Sequence, residues 1–172
     1  MTPDHPCGFA HRRETPLGYV TMTSDGAALT GLRFEDRDDA YPPAGCEERG
    51  LPVFDQADRW LDIYFAGRDP GFAPPLAVSG TEFRLAVWRF AADIPYGRVT
   101  TYGEIAAALA SVRGVPLVSA QAVGGALAHN PVALIVPCHR VIGARGSATG
   151  YAFGIDRKLK LLALERGAPI AF

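Results

Sequence analysis

A chain of 172 residues with 48% hydrophobic and 20% charged side chains has the make-up of an ordinary water-soluble globular protein, long enough for one domain or two small ones. It shows no apolar run near twenty residues and no basic-plus-apolar leader, which argues against a membrane span or secretory signal and for the cytoplasm. The net charge of -1 hides a split: residues 1–79 carry 7 Arg/Lys against 13 Asp/Glu, residues 80–172 carry 10 against 5, and a basic half suits a face presented to a polyanion.

From the N-terminus, residues 7–13, 18–23 and 29–35 read as short strands separated by Thr15-Pro16-Leu17-Gly18 and Ser24-Asp25-Gly26, an antiparallel meander. Residues 37–52, with Pro42, Pro43, Gly45 and Gly50 among clustered charges, read as a mobile loop. A helix is expected over 54–66, since Trp60, Leu61, Tyr64 and Phe65 fall on one face and Asp55 can cap its start. Residues 69–80, with three prolines and two glycines, read as a linker, dividing the chain into domains 1–79 and 80–172. Cys7, Cys46 and Cys138 form neither a paired framework nor a Cys-x-x-Cys cluster, which fits a reducing compartment. His5, Cys7 and Cys46 lack metal-ligand spacing, so no metal site is expected.

Beyond the linker the pattern turns helical. Thr81 caps a helix running to about Ala92, with Phe83, Val87 and Trp88 on its apolar face, and Ile94-Pro95-Tyr96-Gly97 makes a turn. Thr101 and Glu104 have capping-box spacing at the head of a second helix, which Ala106–Ala110 propagate and residues 111–116 interrupt. Ser119 opens a third segment, 120–127, ending before Asn130-Pro131. Two short helices joined by a turn in a basic domain have the form of a helix-turn-helix, although a plain packed helical pair has the same local pattern.

The most reactive cluster follows. Pro137-Cys138-His139-Arg140 sets a thiol beside an imidazole and a guanidinium after an apolar, strand-like stretch. Neighbouring cationic or hydrogen-bonding groups lower a thiol pKa toward the nucleophilic thiolate, whereas a free cysteine is often just a small buried hydrophobe. Successive side chains of an extended strand point to opposite faces, so Cys138 and His139 can cooperate only if Pro137 helps turn the backbone.

Taken in order, Ile94-Pro95-Tyr96-Gly97, Thr101-Tyr102-Gly103-Glu104-Ile105-Ala106, Ala122-Val123-Gly124-Gly125-Ala126, Asn130-Pro131, Pro137-Cys138-His139-Arg140-Val141-Ile142, Gly150-Tyr151-Ala152 and Arg157-Lys158 before Glu165 resemble the O6-alkylguanine-DNA alkyltransferase family over roughly residues 81–166. The resemblance implies an α+β protein: a small antiparallel sheet with a helix, RNase H-like, then a mainly helical domain with a helix-turn-helix and the active-site cysteine. It implies direct-reversal repair in which the Cys138 thiolate displaces an alkyl group from O6 of guanine in double-stranded DNA and keeps it, each chain acting once, as a monomer, with no cofactor and no membrane. Cooperative assembly on DNA is left open.

By the same resemblance His139 draws the thiol proton through a water, Glu165 orients His139, and Asn130 braces the turns around the cysteine, although an asparagine before proline is also a helix C-cap. Tyr102, Ser119, Gln121, Ala122 and Gly124 would meet DNA, with Tyr102 helping to rotate the nucleotide out of the duplex. Val141, Tyr151, Ala152 and Phe153 would border the flipped base, and Arg140 would meet either a phosphate or an internal carboxylate. Glycines at 124 and 125 inside a helix ask for a reason, close approach to DNA or to another helix.

Three departures from the family pattern carry expectations. Gln121 stands where the family places an arginine that fills the gap left by the extruded base, so duplex binding should be weaker than in a Gln121→Arg variant. The segment from Tyr102 to Gln121 is about five residues longer than usual, the extra lying around residues 111–118. Phe153 replaces a glycine and Ala133 a proline, which favours methyl over benzyl adducts. Two other functions stay open: a lesion sensor that binds without transfer, and a thiol acceptor acting on a non-DNA substrate.

Overall fold

The computed structural model describes residues 8–36 and 38–168. They form two compact units, the first running to Ser79 and including Pro131–Ala133, the second comprising Gly80–Asn130 and the chain from Leu134 onward.

The first unit is a sheet with a helix. Strands β1 (Phe9–Thr15), β2 (Gly18–Ser24) and β3 (Leu29–Phe34) form the expected antiparallel meander, with Ala10 facing Thr23 and Val20 facing Phe34. A two-residue strand, β4 (Glu47–Glu48), runs parallel to β1 and completes the order β3-β2-β1-β4. The segment expected to be loop therefore contributes a strand, whose exposed glutamates gave no apolar alternation to read. The other edge is also occupied. Leu29 exchanges backbone hydrogen bonds with Pro75 and Ala77, and Leu32 with Pro131 and Ala133, all four at 2.8 Å. Part of the proline-rich linker is thus strand partner rather than tether.

Helix α1 (Pro52–Phe65) buries Val53, Phe54, Ala57, Trp60, Leu61 and Tyr64 at helical spacing. It starts earlier than expected because Pro52 occupies the first turn, where a missing N–H costs nothing. Leu51 is the N-cap and Asp55 lies within the first turn, so the capping role expected of Asp55 is corrected. Cys46 is disulfide-bonded, against the expectation of unpaired thiols, since chain spacing does not reveal which thiols meet. Cys7 and His5 lie outside the described residues, among which no group of three metal-binding side chains gathers.

The second unit holds α2 (Glu82–Ala92), β5 (Thr100–Thr101), α3 (Tyr102–Arg113), α4 (Ala120–Ala128), β6 (Val141–Ile142) and α5 (Ile155–Glu165). Local chemistry sets their starts. Thr81 accepts a hydrogen bond from the Arg84 N–H, Ser119 from that of Ala122, and Thr101 and Glu104 form the full capping box. Helix α3 runs through Ser111–Arg113, farther than expected, and stops at Gly114 in the left-handed region (φ 63°), since nothing earlier breaks it. Trp88 ties α2 to α4 by donating from Nε1 to the Ala126 carbonyl at 2.9 Å. β5 and β6 pair in parallel, Thr100 with Val141, which brings the head of α3 beside the chain just past Cys138. Among the described residues no helix is long and apolar enough to cross a membrane.

Candidate active site

Cys138 does not lie in an extended strand. The chain turns at Leu134, a non-glycine residue at φ 69°, and Cys138–Arg140 form one 3-10 turn led by Pro137, whose carbonyl accepts from the Arg140 N–H at 2.9 Å. The strand-like reading of this segment is thereby corrected, and the turn that cooperation of Cys138 with His139 required is present.

Around the thiol the partners are few and short. Asn130, two residues beyond α4, donates from Nδ2 to the Val136 carbonyl at 2.8 Å and to Cys138 Sγ at 3.2 Å. His139 lies against Glu165 of α5, Nε2 to Oε1 at 2.7 Å, with His139 fully buried. The same carboxylate accepts from Arg140 Nε at 2.9 and 3.1 Å and from the Gly97 N–H at 3.0 Å, while Arg140 Nη1 donates to the Ile94 carbonyl at 2.7 Å. Arg140 is turned inward, so of its two candidate partners the structure holds the carboxylate. Gly97 adopts φ 73°, and a Cβ there would stand 3.2 Å from the Glu165 carbonyl oxygen.

These contacts set the protonation states. Burial would raise the Glu165 carboxyl, but the hydrogen bonds and charges of His139 and Arg140 overcome it and hold it down to about 2. An ionised carboxylate only accepts, so His139 Nε2 carries the proton and Nδ1 is the basic nitrogen. Burial pulls the imidazole pKa below its ordinary value, Glu165 opposes the shift, and Arg140 and Lys158 reinforce it. His139 is therefore neutral near pH 7 and able to take a proton.

Burial likewise pushes the Cys138 thiol up, against the pull of the Asn130 amide, the Lys158 charge and nearby backbone N–H groups. The adjacent cations do not leave a resting thiolate, as the sequence suggested, because desolvation outweighs them. The site has a protonated thiol, a neutral base and groups that favour the anion once it forms.

Lys158, which the sequence reading left without a role, is fully buried and donates from Nζ to the carbonyls of Val141 (2.6 Å) and Thr149 (2.9 Å). Its signal was available: Lys158 and Glu165 are spaced seven apart on α5 along the face of Leu161 and Leu162, where apolar residues belong. Tyr102 donates to the carbonyls of Thr149 (3.0 Å) and Gly150 (2.9 Å), pinning the following loop to the head of α3. On that loop Tyr151 is buried, its ring 6.5 Å from His139 and 5.5 Å from Phe153, and its hydroxyl has no hydrogen-bond partner among the described residues.

Asn130 is thus bonded to Cys138, and Glu165 to His139, the next residue along the same turn; Tyr151 makes a ring contact with His139, and Lys158 holds the Val141 carbonyl beside Tyr102. Ser119, Gln121 and Ala122 lie apart on the exposed first turn of α4, and Ala152 is also exposed. Gly124 faces Tyr102, where a Cβ would make an ordinary 3.8 Å contact, and Gly125 faces open space.

Known proteins resemble the chain over most of its length. Residues 82–167 match the family model described as 6-O-methylguanine DNA methyltransferase, DNA binding domain, and residues 9–78 match its ribonuclease-like domain. A methylated-DNA--protein-cysteine methyltransferase of Mycolicibacterium paratuberculosis is 45% identical over 154 residues, 89% of each chain. One from Methanosarcina acetivorans is 41% identical over 152 residues, 88% of this chain and 94% of the relative. Among solved structures, Mycobacterium tuberculosis OGT in complex with DNA matches with a TM-score of 0.80 at 41% identity, covering 94% of this chain and 95% of that one.

Proposed function

Because the chain belongs to the 6-O-methylguanine DNA methyltransferase family, we propose that it repairs alkylated DNA by direct reversal, transferring an alkyl group, mainly methyl, from O6 of guanine to Cys138. The observation that carries this reading is a buried thiol held by Asn130 at 3.2 Å and followed in sequence by an imidazole paired with Glu165 at 2.7 Å.

In the reaction His139 Nδ1 accepts the thiol proton through a bridging water, and Glu165 stabilises the imidazolium without taking the proton, since its own carboxyl ionises near about 2. The thiolate attacks the alkyl carbon, a C–S bond forming as the O6–C bond breaks, and the electron pair leaves with guanine. The proton removed from the thiol balances the one that N1 of the restored guanine must gain. Asn130 and Lys158 favour the thiolate, one by a hydrogen bond and the other by its charge. A thioether is not reversed by hydrolysis, so each chain acts once and no cofactor enters.

The substrate is duplex DNA with the damaged nucleotide turned out of the stack, met by a single protein chain. Tyr102, Ser119, Gln121, Ala122 and Gly124 face the DNA, and Val141, Tyr151, Ala152 and Phe153 border the base. Support comes from the exposed, capped first turn of α4 and from the unpartnered Tyr151 hydroxyl beside the network.

Intact mass after mixing with a duplex carrying one O6-methylguanine tests the reading. The expected result is a gain of about 14 Da, one CH₂, saturating at one per chain and absent from Cys138→Ser. Salt-dependent binding without a mass change would assign the chain to lesion sensing, and neither binding nor mass change would point to a thiol acceptor for a non-DNA substrate.

A further inference from the structure

The connection between α3 and α4 carries side chains that neither the core nor the chemistry around Cys138 uses. Leu117 is 80% exposed and Val115 40%, and Val112 in the last turn of α3 is 75% exposed, whereas Leu109 earlier on that helix and Leu127 on the following one are 0% and 5% exposed. The connection stands off α3, leaving an apolar groove of ≈ 450 Å³ against Gly103, Ala106, Ala107 and Ala110. Large aliphatic side chains left clustered in water mark an interaction surface.

Charge identifies the partner. Between Glu104 and Asp156 the sequence holds no carboxylate at all, while Arg113 and Arg145 are exposed on either side of the active-site turn. Arg113 immediately precedes the apolar tip, its guanidinium 5.8 Å over the Phe83 ring. A long segment without a carboxylate, flanked by exposed guanidinium groups, suits a polyanion, and the polyanion that also takes up aliphatic side chains is DNA, between whose base steps they insert and unstack. The tip leads straight into the Ser119 cap and the exposed turn bearing Gln121, whose neutral side chain supplies no cationic hold.

Resting on the DNA reading above, we propose that Val115 and Leu117 form an apolar wedge that enters the duplex beside the damaged nucleotide and favours its extrusion. The wedge supplies displacement of stacked bases, and Arg113 supplies attraction to phosphate.

Leu117→Ser and the double variant Val115→Ser/Leu117→Ser test it, since both positions face water. Two substrates are compared, a duplex carrying O6-methylguanine and the free O6-methylguanine base, which needs no extrusion. The expected result is about a tenfold slower transfer from the duplex, an unchanged rate with the free base, and an unchanged salt slope of duplex binding, because no phosphate contact is lost. Leu117→Met, which keeps an apolar side chain, should retain most of the duplex rate. Equal duplex rates for parent and serine variants would overturn the wedge, as would an equal loss on both substrates. If sedimentation shows altered self-association in the serine variants at unchanged duplex rate, the surface belongs to a second copy and the wedge falls. A parent protein alkylated by the free base but inert toward duplex would break the DNA reading itself, and the wedge with it.

Discussion

In the sheet unit the polar residues buried as whole residues are Thr21 and Ser24, both hydroxyls, and ion pairs such as Arg33 with Asp39, 2.8 Å apart, have side chains 58% and 27% exposed. In the helical unit Asn130, His139, Arg140, Lys158 and Glu165 are all 7% exposed or less. Withdrawing an ion from water costs several kcal/mol even after relaxation, so in the sheet unit a withdrawn carboxylate such as Glu35, its side chain 7% exposed, is held by a half-exposed arginine, Arg12 at 2.6 Å. The helical unit gathers its buried charges around one thiol, and that concentration marks where stability is set against chemistry.

Removing the anion at the centre of the buried set should produce the largest effect. Glu165→Gln leaves the Arg140 guanidinium buried without its carboxylate and turns the Gly97 and His139 contacts into ones an amide meets poorly. The expected loss is about 3–5 kcal/mol in urea denaturation, with methyl transfer slowed about 100-fold as the base loses its counter-ion. Asp39→Asn, which breaks the surface pair of the sheet unit, should cost about 0–1 kcal/mol. Equal costs for the two variants would erase the distinction between the units.

Acid should separate them next. Glu165 is depressed to about 2 when folded, so its contribution is complete above an ordinary 4.5 and is lost as pH falls through about 2, a span worth about 3 kcal/mol. His139 is also depressed, so the unfolded chain takes its proton first and stability begins to decline below 6.5. Both act in the same direction, and both lie in the helical unit. The chain has two tryptophans, Trp60 in α1 and Trp88 in α2, each 5% exposed or less, so Trp60→Phe and Trp88→Phe each leave one reporter. In an acid titration the Trp88 emission should change at higher pH than that of Trp60. The reverse order, or coincident transitions, would contradict the assignment of acid sensitivity to the buried network.

What the sequence disclosed follows the same division between local and distant causes. The meander, the capped starts of α2, α3 and α4, and Cys138 beside His139 were legible because each rests on residues within four positions of one another. β4 was not, since two exposed glutamates become a strand only by meeting Phe9 and Ala10 from far along the chain. Pairing of Glu165 with His139, 26 residues away, came from resemblance rather than pattern. The roles of Lys158 and Gly97 depend on carbonyls and carboxylates brought in by folding, and the raised thiol pKa depends on burial, which no motif states.

Glycines offer the smallest and finest contrast between the units. At Gly31 in β3 an added Cβ would stand 2.6 Å from Thr23 Oγ1, which is 3.0 Å from Thr30 Oγ1, so alanine forces that pair apart and Gly31→Ala should destabilise the sheet unit. At Gly125 in α4 an added Cβ meets nothing within 4 Å, and the residue is exposed on the face that also carries Gln121 and Ala128. A helix interior favours alanine over glycine, so Gly125→Ala should raise stability by about 0.5–1 kcal/mol in urea denaturation. Packing inside the protein therefore gives no reason for glycine at 125, and the remaining reason is approach of a partner's backbone to the helix. On that ground the same variant should bind duplex DNA more weakly although its fold is stronger. A variant stabilised with undiminished duplex affinity would remove α4's Gly125 from the DNA-facing surface, and a destabilised one would show that the helix needs its glycine for itself.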